Sequence, residues 1–422
     1  MSLSESLQTR LILVALACAL TSPPADAAED GERWGQWRGP DRDGVASQFD
    51  APEEWPRELA AAWRIEVGDG HSSPLVDGEE IYLFVRTASG EALEARSLAS
   101  GELLWSVGYE QEYEPISVAA SHGKGPFSTP VLAGGTIVTL GINGVLTAWS
   151  REDGARIWQV RSEDLFGKPR PFYGHASSPL VVGDRVYAYL GGPGEGALLA
   201  FSLADGSEVW RRAGDGPAYG SPTVIEAHGE RQIVTLSQRR FLGVRLEDGE
   251  LLWELPFQVT FDSGSITPLW VRDLLVISAG KVPLQAYRLV EREGSMLPVE
   301  AWRNDAVHLG MSSPVPAGDR LWAFSEKKSG QLVAVSLANG EVVWEGPARK
   351  GDSAFLTLAG DRLMNVYSSG EMEVFDVAAD EPVLLGTYRL TEDHEVWAHP
   401  AFVGDSIVIK ARTELARFRV RP

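Results

Sequence analysis

One phrase recurs along this chain at an interval that few folds permit. It reads ARSLASGELLW up to Trp105, AWSREDGARIW up to Trp158, AFSLADGSEVW up to Trp210, GVRLEDGELLW up to Trp253 and AVSLANGEVVW up to Trp344. Trp302 ends a less regular copy, and the tryptophans stand 42 to 53 residues apart. Each copy is an apolar stretch, a polar turn and a second apolar stretch that carries the tryptophan. Most of the turns hold Asp-Gly or Asn-Gly, and both residues tolerate the positive φ of a tight hairpin.

A second phrase comes about 20 residues earlier: VGDRVYAYL (182–190), AGDRLWAFS (317–325), AGDRLMNVY (359–367) and VGDSIVIK (403–410). Each reads as a turn and then a strand. Ahead of it stands an apolar stretch opened by Ser-Ser-Pro or a variant, as in DGHSSPLV (69–76), YGHASSPLV (173–181) and HLGMSSPV (308–315). A unit of four short antiparallel strands at this period is a propeller blade. Units start near Ser72, Ser128, Ser177, Ser221, Thr267, Ser312 and Ser353. The last of these has lost both the proline and the tryptophan, with Tyr388 in the tryptophan's place.

The two ends complete one further blade. AAWRIEV (61–67) is a tryptophan strand with no blade ahead of it, and residues 399–420 hold three strands without one. Pairing them closes the ring and leaves no bare edge there. The expectation is an all-β, eight-bladed β-propeller over residues 59–422, behind an extended Trp/Gly/Pro-rich leader at 28–58.

Residues 1–27 read as a secretory signal. The apolar run LILVALACAL (11–20) is too short to span a bilayer, which takes about 20 residues, and Ala-Asp-Ala (25–27) has cleavage-site spacing. Export to the periplasm or the extracellular space is expected, with lipid anchoring at Cys18 as the alternative. Cys18 is the sole cysteine, so a mature chain has no disulfide, thiol chemistry or cysteine-ligated metal. A formal charge of −21 argues against nucleic acid as the partner. No stretch outside the signal is long and apolar enough for a membrane helix, and a monomer is expected.

The Ala-x-x-Leu-x-x-Gly-x-x-x-Trp phrase resembles the tryptophan-docking repeat of propellers of the pyrroloquinoline quinone (PQQ) type, over roughly residues 60–420. The resemblance implies a propeller whose tryptophans pack between neighbouring blades. That family includes quinoprotein dehydrogenases and the non-enzymatic outer-membrane assembly lipoprotein BamB. The dehydrogenases use PQQ with calcium, usually beneath a pair of adjacent cysteines that a mature chain here would lack. Their calcium ligands and catalytic aspartate map onto no position of this sequence, so catalytic residues stay unassigned.

In a propeller, the connections leading into strand one and the loops between strands two and three share one face. On that face stand Lys124, Arg170, Arg239, Arg240, Lys281 and Lys327, while the acidic turns fall opposite. A basic rim around a concave mouth favours an anionic ligand. His71, His175, His308 and His399 each precede a first strand, and converging imidazoles would suit PQQ, a proton relay or a metal. Tyr173 and Trp397 offer flat faces for a ring. The leading expectation is a cell-envelope scaffold that binds a protein partner or an anionic small molecule at the mouth. A PQQ-dependent oxidoreductase and a histidine-built metal site are the alternatives. P-loop, nucleophile-elbow and dinucleotide motifs are absent.

Overall fold

A computed structural model describes residues 33–167, 170–258, 264–391 and 395–421. The expected signal segment and Cys18 lie outside these residues. The strands form eight antiparallel sheets, each with four consecutive strands in meander order apart from the closing one. Blade one runs from Leu75–Asp77 to Leu103–Glu110, and blade two from Val131–Ala133 to Arg156–Arg161. Blade three runs from Leu180–Val182 to Glu208–Gly214, and blade four from Thr223–Ala227 to Leu251–Pro256. Blade five runs from Leu269–Val271 to Ser295–Asn304, blade six from Val315–Ala317 to Val342–Ala348, and blade seven from Ala354–Ala359 to Val383–Arg389. Blade eight joins the two ends of the chain. Ala61–Glu66 pairs with Glu414–Arg419, Ala61 opposite Phe418 and Glu66 opposite Glu414.

The recurring tryptophan phrase has a direct physical account. In blades eight, two and five, the indole N–H donates to the carbonyl of a leucine in the next blade. Trp63 reaches Leu98 at 3.0 Å, Trp158 reaches Leu203 at 2.8 Å and Trp302 reaches Leu337 at 2.9 Å. The same ring covers the turn glycine three residues beyond that leucine. A Cβ placed on Gly206 would stand 2.7 Å from Trp158, and that glycine has φ +73. Only glycine meets both demands at low cost. Each tryptophan sits beside a register shift between the third and fourth strands, as at Ala95/Arg96 and Ala200/Phe201. Such bulges re-aim side chains, here toward the neighbouring blade. Trp63 performs this docking across the seam between the chain's ends.

Tyr388, in the tryptophan's place in blade seven, turns instead to the leader. Its hydroxyl donates to the Pro56 carbonyl at 2.6 Å, and its ring lies 5.8 Å from that of Trp55.

The Ser-Ser-Pro phrases stand just ahead of the first strands rather than inside them, because their polar groups are used between blades. The backbone N–H of Ser73 donates to the Thr129 hydroxyl at 3.1 Å, that of Thr129 to Ser178 at 3.0 Å, and that of Ser178 to Ser221 at 3.0 Å. Thr267 donates to Ser313 at 3.1 Å, Ala354 to Ser312 at 2.9 Å, and His399 to Ser73 at 2.8 Å. Buried backbone N–H groups need partners. The serines provide them in a belt around the channel that joins the last blade to the first.

The leader fills the channel inside this belt. Arg33–Trp34 adds a strand to the inner edge of blade one. Gly35 accepts the N–H of Leu132 in blade two at 2.8 Å. Further along, Ala46 donates to Leu358 of blade seven, and Asp50 to Gly404 of blade eight, both at 2.7 Å. At Gly44 the backbone passes so close to blade six that a Cβ would meet Val315 at 2.6 Å. The Asp-Arg-Asp-Gly stretch (41–44) is therefore a turn inside the channel.

Candidate functional site

Above the belt, the mouth opens into a cup of about 920 Å3. Ser178 and Ser221 of the belt reach its wall, and Trp37 of the leader lines it too. The indole N–H of Trp37 donates to the Thr267 hydroxyl at 2.8 Å, and its ring meets that of His399 edge-on at 5.9 Å. Pinned between blades five and eight at the level of the belt, Trp37 forms the floor.

One side of the cup is a continuous run of rings. Phe127 stacks on His71 at 5.6 Å, His71 meets Trp397 at 6.4 Å, and Trp397 meets His122 at 5.8 Å. His122 meets Tyr173 at 5.5 Å, and Tyr173 meets Tyr219 at 5.6 Å. All six residues line the cup. Edge-to-face contacts at these spacings fix ring orientations. His71 is further held by its Nε2, which donates to the His122 carbonyl at 3.0 Å. Burial, with help from the nearby Lys410 ammonium, lowers its pKa to about 4, so the ring is neutral at pH 7. Beneath it, the Lys410 Nζ donates to the carbonyls of Gly70, Ala411 and Arg412. Burial lowers this lysine's pKa to about 7.

The other side is polar. Lys281, His308, Glu326, Lys327 and Asp352 line it, along with Met311. The Glu326 carboxylate stands 3.8 Å from His308 Nδ1, and burial raises its pKa.

The structure brings His71, Tyr173, Lys281, His308, Lys327 and Trp397 of the expected site residues into the cup wall. It places the others elsewhere. Lys124 pairs with Glu114 at 2.8 Å on the surface. Arg170 donates to the Asn143 side chain and the Glu114 carbonyl, with its guanidinium 4.5 Å from the Tyr113 ring centre. Arg240 pairs with Asp215 and Glu254. Arg239 is exposed and offers only its backbone N–H to Asp215. Other cations of that face are neutralised in the same way: Arg86 by Glu91, Lys328 by Glu345 and Arg412 by Asp69. Of the six cations expected at the rim, Lys124 and Arg240 are thus held in ion pairs away from the cup, and Lys281 and Lys327 line it. Two further residues that the sequence puts on this face, His394 and Lys168, lie outside the described residues.

The four histidines do not meet. His175 is 3% exposed and His399 is 2% exposed, and neither lines the cup. His399 lies under the leader, stacked on Trp34 at 5.7 Å. His175 is held against blade two by a backbone bond to Ile142 at 2.8 Å, with its ring over Gly144. Burial lowers the pKa of both to about 4. Among the described residues, no group of three or more His, Cys, Asp or Glu side chains is placed to hold a metal ion. The histidine metal site is corrected accordingly: two of the four imidazoles are walled off in the core.

Sequence reasoning passed over Trp37, Glu326 and Asp352. The first lies in a segment with no repeat to place it, and the other two sit in short loops with no motif.

The model of the family described as "Outer membrane protein assembly factor BamB" matches residues 89–346 and 299–380. The chain belongs to this family of PQQ-like propeller repeats. Among solved structures, a europium-containing methanol dehydrogenase superposes with a TM-score of 0.66 at 13% identity, over 92% of this chain and 98% of that one. BamB from Moraxella catarrhalis gives 0.60 at 13% identity, over 86% and 99%. Quinohemoprotein alcohol dehydrogenase from Comamonas testosteroni gives 0.63 at 12% identity, over 92% and 80%. At such identities the likeness is one of fold. No curated protein matches the chain by sequence.

Proposed function

We propose that this protein is an exported cell-envelope propeller whose mouth cup binds a small anionic molecule bearing a flat ring. The observation that carries this reading is the cup itself, about 920 Å3, walled on one side by rings and floored by Trp37. Ligand sites are concave, mostly apolar and set with a few polar groups, and a flat ring suits the aromatic run from Phe127 to Tyr219. Lys281 and Lys327 stand at the polar side, where their charges act on Glu326, and the Lys327 Nζ donates to the Asp305 carbonyl at 3.1 Å. Titration calorimetry with naphthalene-2-carboxylate tests the reading. One molecule bound per chain, weakened at least about tenfold in Trp397→Ala, supports it. No binding at high micromolar probe, or unchanged binding in Trp397→Ala, refutes it.

A quinone-dependent oxidoreductase is the second reading, favoured by likeness to the methanol and alcohol dehydrogenases. The cup fits a flat carboxylated quinone as a ligand. It does not fit a calcium companion, which takes six to eight oxygen ligands. Among the described residues, its carboxylates Glu326 and Asp352 belong to no group suited to a metal. PQQ is therefore a candidate ligand, and no redox step follows from these residues. Dye reduction with PQQ and calcium, absent without PQQ, would establish the oxidoreductase. Binding of an envelope protein is the remaining possibility, favoured by the likeness to BamB. A purified partner that displaced naphthalene-2-carboxylate would support it.

A further inference from the structure

An anionic ligand needs positive potential, and in the cup wall the two lysines, Lys281 and Lys327, are matched by two carboxylates, Glu326 and Asp352. A different source lies directly beneath the floor. Arg38 is 1% exposed and Arg42 is 3% exposed, both in the leader inside the channel. Arg38 donates to the carbonyls of Arg42, Asp43 and Pro314. Arg42 donates to the carbonyls of Pro179 at 2.8 Å and Ser178 at 3.1 Å, and to the Gln36 side chain at 3.2 Å. These partners satisfy N–H groups but carry no net charge. Among the described residues neither guanidinium forms an ion pair, and the Nε of each is buried without a partner. The neighbouring Asp43 carboxylate offsets part of the Arg38 charge; burial raises its pKa, and its Oδ1 accepts the Val45 N–H.

Burial lowers the pKa of Arg38 to about 10 and that of Arg42 to about 9, the latter with help from Arg38's charge. Both stay cationic at neutral pH. Each is joined to a residue that lines the cup. Trp37 precedes Arg38 in the chain, and Ser178, whose carbonyl holds Arg42, also lines the cup. Unpaired charge in a low-dielectric interior acts over longer range than surface charge and is little screened by salt.

We propose that Arg38 and Arg42 supply the potential that makes the cup an anion site, with Trp37 as the uncharged floor between them and the ligand. The leader is then part of the site: it closes the channel and charges the cup from below. This rests on the reading of the cup as a ligand site.

The test compares naphthalene-2-carboxylate with its uncharged amide by calorimetry, at about 0.05 M and about 0.5 M salt, on either side of the ionic strength where the Debye length is ~10 Å. The account expects the carboxylate to bind at least about fivefold more tightly at both salt concentrations. In Arg42→Gln, which keeps an amide donor, that preference falls at least about fivefold. In Lys281→Gln/Lys327→Gln it falls by less, and by no more than about twofold at the higher salt. A preference that vanishes at high salt, or is abolished in the lysine variant, assigns the potential to the rim and overturns the inference. The salt comparison on the unaltered protein decides alone where Arg42→Gln does not fold. Equal binding of both probes also overturns the inference while leaving the cup a ligand site. Binding of neither removes the ligand-site reading and the inference together.

Discussion

The backbone N–H of His399 donates to the Ser73 hydroxyl at 2.8 Å, across 326 residues of sequence. This bond joins the last blade to the first at the innermost point of the ring, where the Ser73 N–H continues the belt to Thr129. The outer seam is held by the pairing of Ala61–Glu66 with Glu414–Arg419. Ring closure thus has an inner and an outer fastening. Removing the hydroxyl in Ser73→Ala leaves a buried N–H without a partner, which costs about 1–3 kcal/mol. Urea unfolding measures this, and a change under about 0.5 kcal/mol would show that the belt bond carries no weight.

Trp63 docks the closing strand onto blade one through Leu98 and Gly101. Trp63→Ala is expected to destabilise the protein by about 3 kcal/mol, within the range for aromatic truncation in a packed site. Gly101 has φ +77, and a Cβ there would stand 3.1 Å from the indole. Gly101→Ala is therefore expected to cost about 1–2 kcal/mol. Because the two residues touch, the double variant should cost less than the sum, a coupling that a double-mutant cycle reads directly.

Tyr388 replaces the docking tryptophan because its partner is the leader and not a blade. Tyr388→Phe keeps the ring against Trp55 but loses the bond to Pro56. The expected loss is about 1 kcal/mol in thermal or urea unfolding. Tyr388→Trp is expected to be worse than Tyr388→Phe, since Tyr388 is buried and overfilling a packed site costs about 1–3 kcal/mol; a gain in stability would contradict this.

Acid should destabilise the fold through its neutral histidines. His71, His175 and His399 have folded pKa values near 4, against 6.5 for an ordinary imidazole, chiefly because of burial. Between these values the unfolded chain binds more protons than the native one. Stability is then complete above about pH 6.5 and falls as the pH drops toward 4, by up to about 1.4 kcal/mol per pH unit for each histidine. Urea midpoints at pH 7.5, 6 and 5 check this, and a midpoint that holds steady or rises toward pH 5 would contradict it.

The repeating parts of this molecule were legible because each copy repeats the same physical requirement. The glycine under the tryptophan, the serine that accepts a neighbour's N–H and the complementary ends all recur or pair in the sequence. The leader was not legible, because it occurs once and breaks common expectations. Arg38 and Arg42 are residue types that seldom lie buried, and they are buried here because carbonyl oxygens around the channel receive them. The same segment explains why the site was read only in part. His399 shares its loop position with His71, yet Trp34 and Trp37 of the leader cover it. Sequence position placed both histidines near the axis but could not show that another segment lies over one of them.

The central claim is that the leader-floored cup is the ligand site. The most direct test is a crystal structure of the protein with naphthalene-2-carboxylate. The account predicts the naphthalene ring inside the cup, against Trp37 and the rings that run from Phe127 to Tyr219. A ring bound outside the cup, or a channel left open because Trp37 lies away from Thr267, would contradict it.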